Sequence, residues 1–277
     1  MDIKNKVCLI TGATSGIGKH AAFEIAAQGA ILVLPVRDVS KGESLLCELK
    51  AKVPGVQAEI MYCNLASLAS VRAFVEEFKQ KHQQLHVLIN NAGMWQRVRK
   101  ESEDGIELNL AVNHLAPFLL TNLLLETMIN SSPARIINVS SDAHRRTTIN
   151  FSDIESSTKY SPLRAYSQSK LANILFTKKL SQMLKGTGVT ANCMHPGVVR
   201  TAFFDPLPAP ILWCIQPFMI SARQGAQTII YLATSPEVEN AGGEYFVKCK
   251  PRNPSKDALR KDYADWLWEV SSNYVGY

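Results

Sequence analysis

No Cys-x-x-Cys pair and no Cys/His cluster with zinc spacing occurs in this sequence. Its six cysteines, Cys8, Cys47, Cys63, Cys193, Cys214 and Cys249, lie scattered. That pattern excludes a readable zinc module or disulfide framework, so no metal site is expected. It points to reduced thiols in a cytoplasmic chain. A strong excess of either charge is missing too: 30 Lys and Arg stand against 24 Asp and Glu, a net charge of +6. So small a bias on 277 residues leaves no footprint for nucleic acid, though it suits an anionic cofactor. The basic runs Arg97-Val98-Arg99-Lys100 and Arg145-Arg146 read as solvated loops, with phosphate or acidic-lipid contact as the other reading. Met1 to Lys6 leads straight into a strand pattern, with no signal-peptide pattern or anchor there. The most apolar later stretch, Phe203 to Ile220, is broken by Pro206, Pro208, Pro210 and Pro217. Such a run argues against a spanning helix and leaves contact with a membrane surface open. Repeats, low-complexity tracts and an interdomain linker are also missing, and the expectation is one domain over residues 1–277.

What is present is a globular composition, 46% hydrophobic and 19% charged. Short apolar runs alternate with helical stretches. Strands are predicted at Val7–Thr11, Ile31–Val36, Glu59–Cys63, Val87–Asn90, Arg135–Ser140, Val189–Met194 and Gly243–Val247. Helical spacing covers Lys19–Gln28, Val71–Lys81, Glu107–Met128 and Tyr166–Leu184. Strands that are continuous apolar runs between helices indicate a parallel sheet covered on both faces. The predicted fold is therefore α/β, a doubly wound parallel sheet, with ligands gathering at the carboxyl ends of its strands. Pro35, near the end of a central strand, sits badly with this, because it cannot donate to a ladder.

The first strand runs into Thr11-Gly12-Ala13-Thr14-Ser15-Gly16-Ile17-Gly18 and then a helix. Side chains at the glycines would block a tight turn and a pyrophosphate, while the helix N-terminus offers N–H donors. Further on stand Asn90-Asn91-Ala92-Gly93 and Tyr166-Ser167-Gln168-Ser169-Lys170. On a helix Tyr166 and Lys170 are i and i+4 and share a face. A phenol with a pKa of about 10 is a poor proton carrier at neutral pH, and a nearby ammonium is expected to lower that value. Tyr166 could then exchange a proton with an alcohol or carbonyl oxygen.

The spacing Gly-x3-Gly-x-Gly, Asn-Asn-Ala-Gly and Tyr-x3-Lys, in this order, resemble the short-chain dehydrogenase/reductase family. The resemblance spans about residues 5–250. It implies a single Rossmann-type dinucleotide-binding catalytic domain and hydride transfer between a nicotinamide and a carbonyl or alcohol carbon. It implies cofactor contacts at Gly12, Ser15, Gly16, Ile17 and Gly18, at Asn64 and Leu65 beside the adenine, and at Asn91, Ala92 and Gly93. In His195-Pro196-Gly197-Val198-Val199-Arg200-Thr201, it implies that Pro196, Val199 and Thr201 close over the nicotinamide. Lys170, with Tyr166, would also hold the nicotinamide ribose. Ser141, chosen over Ser140, would bond the substrate oxygen, and Asn113 would complete a proton relay; His114 beside it reads as structural. Arg37-Asp38, Leu65-Ala66-Ser67-Leu68, Asn113-His114-Leu115 and Ser140-Ser141 followed by His144 give the look of the retinol-dehydrogenase-like subgroup.

The choice of dinucleotide turns on the end of the second strand, Leu34-Pro35-Val36-Arg37-Asp38. The family's carboxylate position falls on Val36, and Arg37 can fork onto a 2′-phosphate, with Lys41 nearby. That favours NADP(H). Asp38, twenty residues after Gly18, keeps NAD(H) open. The apolar segment around 203–221 is expected to cap an apolar substrate: a lipid-like or aromatic aldehyde, ketone or alcohol, retinoid-like ones included. Core packing and a homo-oligomer contact are the other reading. Met94, Trp95 and His144 are candidates for the same cleft, bordered by the loop from Asp142 to Leu163. A last helix is predicted around 256–270, capped by Ser255, with Leu259, Tyr263, Trp266, Leu267 and Val270 inward and Trp268 outward toward a partner subunit or membrane. The alternative to an enzyme is a dinucleotide-binding sensor or scaffold on the same fold.

Overall fold

The computed structural model describes residues 1–199 and 219–277. Eight strands form one sheet: β1 (Val7–Ile10), β2 (Ile31–Val36), β3 (Gln57–Tyr62), β4 (Val87–Asn90), β5 (Ala134–Val139), β6 (Val189–His195), β7 (Tyr245–Val247) and β8 (Lys250–Pro251). Their order is β3-β2-β1-β4-β5-β6-β7-β8. β1 to β7 run parallel, and β8 returns antiparallel on β7. The chain winds outward from β1 to β3, then crosses back to lay β4 on the other side of β1. A crevice opens at such a reversal, at the carboxyl ends of the strands.

Among the described residues the helices are α1 (Gly16–Ala27), α2 (Val39–Lys52), α3 (Leu68–Lys81), α4 (Leu108–Asn130), α5 (Pro162–Met183), α6 (Ala222–Thr234) and α7 (Lys261–Val275). They cover both faces. Along β1, Cys8 and Ile10 join one apolar cluster and Leu9 the other, as a period of two demands. The first cluster takes Ile25 of α1, Leu45 and Leu49 of α2 and Ile229 of α6. The second takes Phe74 of α3, Phe118 of α4, Leu171 of α5 and Leu267 of α7. Of the described helices, α4 alone is long and apolar enough to cross a membrane; 83% of its apolar window is buried against the protein itself.

Three sequence expectations need correction. α2 and α6 went unpredicted. α2 buries only Gly42, Leu45 and Leu49, too thin a stripe to stand out. α6 does carry a visible start signal, a capping box in which Ser221 and Gln224 bond each other's backbone N–H. The terminal helix also starts later than expected. Ser255 caps a 3-10 turn, Asp257–Leu259, and α7 begins only at Lys261. The buried face of α7 also lies one residue on from most of the expected stripe. Ala264, Leu267, Ser271 and Val275 face inward, and Leu259 is exposed. Trp268 turns in rather than out, edge-on to Phe118 with ring centres 4.9 Å apart.

Pro35 stands at the end of one ladder. The Val36 carbonyl accepts from Cys63 N–H, so residue 36 faces β3 and residue 35 faces the β1 side. Pairing between β1 and β2 has already ended at Leu9 and Val33. Ile31 N–H donates to the Lys6 carbonyl, so the step of two would bring residue 35 to Ile10, and without a donor there the β1–β2 ladder stops.

Candidate active site

A cleft of about 1230 Å³ runs along the carboxyl ends of the strands. At one end lies the turn from β1 into α1. Gly12 and Gly16 hold positive φ there, +68° and +56°. Asn91, just past β4, ties the turn down: its Nδ2 donates to the carbonyls of Thr11 (2.8 Å) and Gly12 (3.2 Å). The Thr11 hydroxyl accepts from the N–H groups of Asn91 and Ala92. A Cβ on Gly18 would sit 2.3 Å from Asn91 Nδ2 and 2.4 Å from the Gly12 oxygen. Gly18 is therefore required by the fold of the turn itself. Ser15 begins α1 without a side-chain cap, and the first turn carries no acidic residue. Its N–H groups are left to a ligand or water.

At the tip of β2, Arg37 is exposed and makes no ion pair with a described residue. Asp38 is committed elsewhere. It caps α2 by accepting from Lys41 N–H (3.1 Å), and the Lys41 ammonium stands 3.5 Å from it. Those contacts hold its carboxyl below the usual range. Asn64 and Leu65 line the cleft. The Asn64 amide, expected to be available, is in use: Nδ2 donates to Glu103 (2.7 Å) and Oδ1 accepts from Ala66 N–H (3.1 Å).

At the other end stand Ser141, Tyr166 and Lys170. α5 presents Tyr166 and Lys170 on one face, with the Lys170 Nζ 5.8 Å from the centre of the Tyr166 ring. Lys170 is buried, and its ammonium donates to the Val139 carbonyl (3.0 Å). Gly93 leaves room for it, since a Cβ there would lie 3.1 Å from Nζ. The Ser141 hydroxyl bonds the Tyr166 phenol. Ser140 is buried, and its hydroxyl donates to the Lys170 carbonyl (2.7 Å), so it is spent on structure. Burial pushes the Tyr166 phenol up to about 12, against the Ser141 bond, which lowers it. Burial likewise brings the Lys170 ammonium down to about 8. Burial is the larger influence on the phenol in the resting site, and it acts in the direction opposite to the lowering expected from a nearby ammonium.

Asn113 lies not in plain α-helix but in a π turn, Ala111–Leu115, within α4. Such turns favour functional sites. Its amide is fully engaged: Oδ1 accepts from Met94 N–H (2.8 Å), and Nδ2 donates to the Met94 carbonyl and the Ser169 hydroxyl, both at 2.9 Å. Asn113 thereby fixes the strand-end loop against α5. His114 is buried and bonds Ser271 of α7.

Pro196, Val198 and Val199 line the cleft after β6. Val199 pairs as an isolated bridge with Ile220. A Cβ on Gly225 would meet Val199 and Ile17, each at 2.7 Å, so this segment packs down beside the start of α1. Thr201, and the capping segment around 203–221 up to residue 218, lie outside the described residues. Met94, Trp95, Val112, Leu163 and Val198 give the catalytic end apolar walls. His144 does not join them. It is buried behind Ser141, and Arg146 reaches the cleft from the same turn instead. His195 lines the cleft beside Asp142, a placement that sequence reasoning missed because the two are brought together only by the pairing of β5 with β6.

The short chain dehydrogenase family model matches residues 6–210. Retinol dehydrogenase 12 of Homo sapiens is 43% identical over 278 residues, taking in 100% of this chain and 88% of that protein. Retinol dehydrogenase 14 of Homo sapiens is 42% identical, taking in 98% and 86%. Among solved structures, a putative uncharacterized protein from Mycobacterium Paratuberculosis superposes with a TM-score of 0.81 at 32% identity, over 99% of this chain and 95% of that one. A blue fluorescent protein from a metagenomic library, in complex with NADPH, gives 0.72 at 26% identity, over 89% and 97%.

Proposed function

This chain belongs to the short chain dehydrogenase family, as an NAD(P)-dependent oxidoreductase of CH–OH and C=O groups, and from that premise we propose that it uses NADP(H) on an apolar aldehyde, ketone or alcohol. The observation that carries the chemistry is the joined group of Ser141, Tyr166 and Lys170 at one end of a cleft whose other end is the glycine turn.

A dinucleotide fits the residues present. The uncapped start of α1 offers N–H donors and a positive dipole end to a pyrophosphate. Asn91 Oδ1 is buried without a partner among the described residues, at a place where a ligand could supply one. Gly12, Ser15, Gly16, Ile17 and Gly18 would hold the phosphates, Asn64 and Leu65 the adenine side, and Ala92, Gly93, Pro196, Val199 and Thr201 the nicotinamide side. Lys170 would bond the ribose. When bound, the dinucleotide supplies or accepts the hydride.

The chain's own groups handle the proton. At rest Tyr166 holds it, since burial favours the neutral phenol. In carbonyl reduction Tyr166 Oη gives that proton to the substrate oxygen; in alcohol oxidation it takes one back. The Ser141 hydroxyl donates to the same oxygen as charge develops there. Lys170 supplies the positive charge that makes a transient phenolate tolerable. Asn113 keeps the loop and α5 in register around them.

The preference for NADP(H) is supported by Arg37, which has no ion pair among the described residues, beside an Asp38 already spent as a helix cap. A guanidinium can fork onto a 2′-phosphate. Arg37→Asp should lower kcat/KM with NADPH by roughly 10–100-fold, as for loss of a charge-assisted bond, and favour NADH. An unchanged ratio between the two cofactors would remove Arg37 from this role. The apolar substrate is supported by Met94, Trp95, Leu163 and Val198 at the catalytic end, and by relatives that carry retinol in their names. A cytoplasmic site of action belongs to the same proposal and rests on the five described cysteines, all free thiols.

A further inference from the structure

The peptide that follows Ser141 has a histidine on each side. Its carbonyl, that of Ser141, accepts from the His144 Nδ1–H at 2.6 Å and from the His144 N–H at 3.1 Å. Its N–H, that of Asp142, donates to the His195 Nδ1 at 3.3 Å. The two rings are themselves braced. His144 Nε2 accepts from Ser255 N–H (3.0 Å), and its ring stands edge-on to Tyr245 at 5.1 Å. His195 Nε2 faces the Asp142 carboxylate at 3.6 Å. That carboxylate also accepts from the Tyr245 hydroxyl (2.9 Å) and Arg145 Nε (3.2 Å). His144 and His195 are both buried.

We propose that His195 and His144 are positioning residues that clamp the Ser141–Asp142 peptide from opposite ends and so hold the Ser141 hydroxyl on Tyr166. The role rests on the reading of Ser141 and Tyr166 as the groups that meet the substrate oxygen. Neither histidine needs to touch the substrate. Both must be neutral, and they must be opposite tautomers. His195 accepts at Nδ1 and carries its proton on Nε2, toward Asp142. His144 donates at Nδ1 and accepts at Nε2. Protonating His195 places two N–H groups face to face and opens one side of the clamp. Protonating His144 breaks its bond to Ser255. The charged groups acting on His195 are Asp142 and Arg145; those acting on His144 are the same two and His195. Tyr245 of β7 and the Ser255 backbone face them uncharged. Burial holds both imidazoles below their ordinary range, so the clamp stays closed at neutral pH and opens on the acid side.

The test joins NMR of isotope-labelled imidazoles in the full chain to turnover of two variants. Signals are assigned by their loss in His195→Asn and His144→Asn. Near neutral pH the expected result is Nε2–H on His195 and Nδ1–H on His144. The same tautomer on both, or a charged His195, overturns the clamp. This arm reads the clamp whether or not a substrate is turned over, so its failure is separable from failure of the acid-base assignment. In turnover, His195→Leu leaves the Asp142 N–H without an acceptor and should lower kcat roughly tenfold with NADPH affinity unchanged. His195→Asn restores an acceptor that does not titrate. It should recover most of that loss and flatten the acid limb of the kcat profile. A wild-type acid limb in His195→Asn, or full turnover in His195→Leu, also overturns the proposal.

Discussion

Replacing Gly18 by alanine tests how the dinucleotide end of the cleft is built. The new methyl would stand 2.3 Å from Asn91 Nδ2 and 2.4 Å from the Gly12 oxygen. The Gly12 oxygen is backbone and cannot swing away, and Asn91 can escape only by giving up its bonds to Thr11 and Gly12. Overpacking of this kind costs about 1–3 kcal/mol. Each lost hydrogen bond costs about 1 kcal/mol more. Against this, alanine gains about 1 kcal/mol over glycine inside a helix, where residue 18 lies. The net expectation is about 2–4 kcal/mol of destabilisation, on the order of 3–7 °C in melting temperature. NADPH affinity should fall as well, because the turn must open. Thermal unfolding with and without NADPH measures both. In an Asn91→Ala background the two bonds are already gone, and Gly18→Ala should cost only the overpacking against Gly12. A Gly18→Ala protein that melts with the wild type and binds NADPH normally would refute the account of this turn.

Two predictions concern protons. Lys170, brought down to about 8 by burial, should lose its charge as pH rises through that value in the free enzyme. Carbonyl reduction, read as kcat/KM, should therefore decline above about pH 8; a rate that keeps rising through pH 9 would speak against the lysine's part. His114 is neutral in the fold, with burial bringing it down to about 4. Its folded value lies below the unfolded one, so its contribution is intact above about pH 6.5 and is lost as pH falls toward 4. At about 1.4 kcal/mol for each pH unit between those values, the loss reaches about 3 kcal/mol. Denaturant titrations of wild type and His114→Asn across that range should diverge by this amount, and parallel curves would contradict it.

The parts of the site that were legible in the sequence are those whose spacing is their geometry. Tyr166 and Lys170 share a face because α5 is a regular helix, and the glycine turn is read from its strand and helix neighbours. Asn64 was legible as a cleft residue but not as one already engaged, because its partner Glu103 lies 39 residues away. The π turn at Asn113 has no local signature: Leu110 to Leu115 looks like ordinary helix. Trp268 was not legible as inward because the buried face of α7 is marked by Ala264 and Ser271, which an apolar stripe does not count, and Ser271 is held there by His114. His144, a cleft candidate from the sequence, is carried behind Ser141 by the 3-10 turn and bonds the serine's carbonyl. For Asn64 a contact between distant segments decided the outcome; for Asn113 and His144 it was a local turn that ordinary spacing does not announce.

The most direct test of the central claim is to follow NADPH and NADH absorbance with a panel of apolar aldehydes and ketones, retinal among them, in wild type and Tyr166→Phe. The account predicts oxidation of NADPH with a subset of the panel by the wild type. It predicts loss of most of that turnover in Tyr166→Phe, with NADPH binding retained, since only the phenol hydroxyl is removed. Turnover by Tyr166→Phe at the wild-type rate would contradict the assignment of the proton to Tyr166.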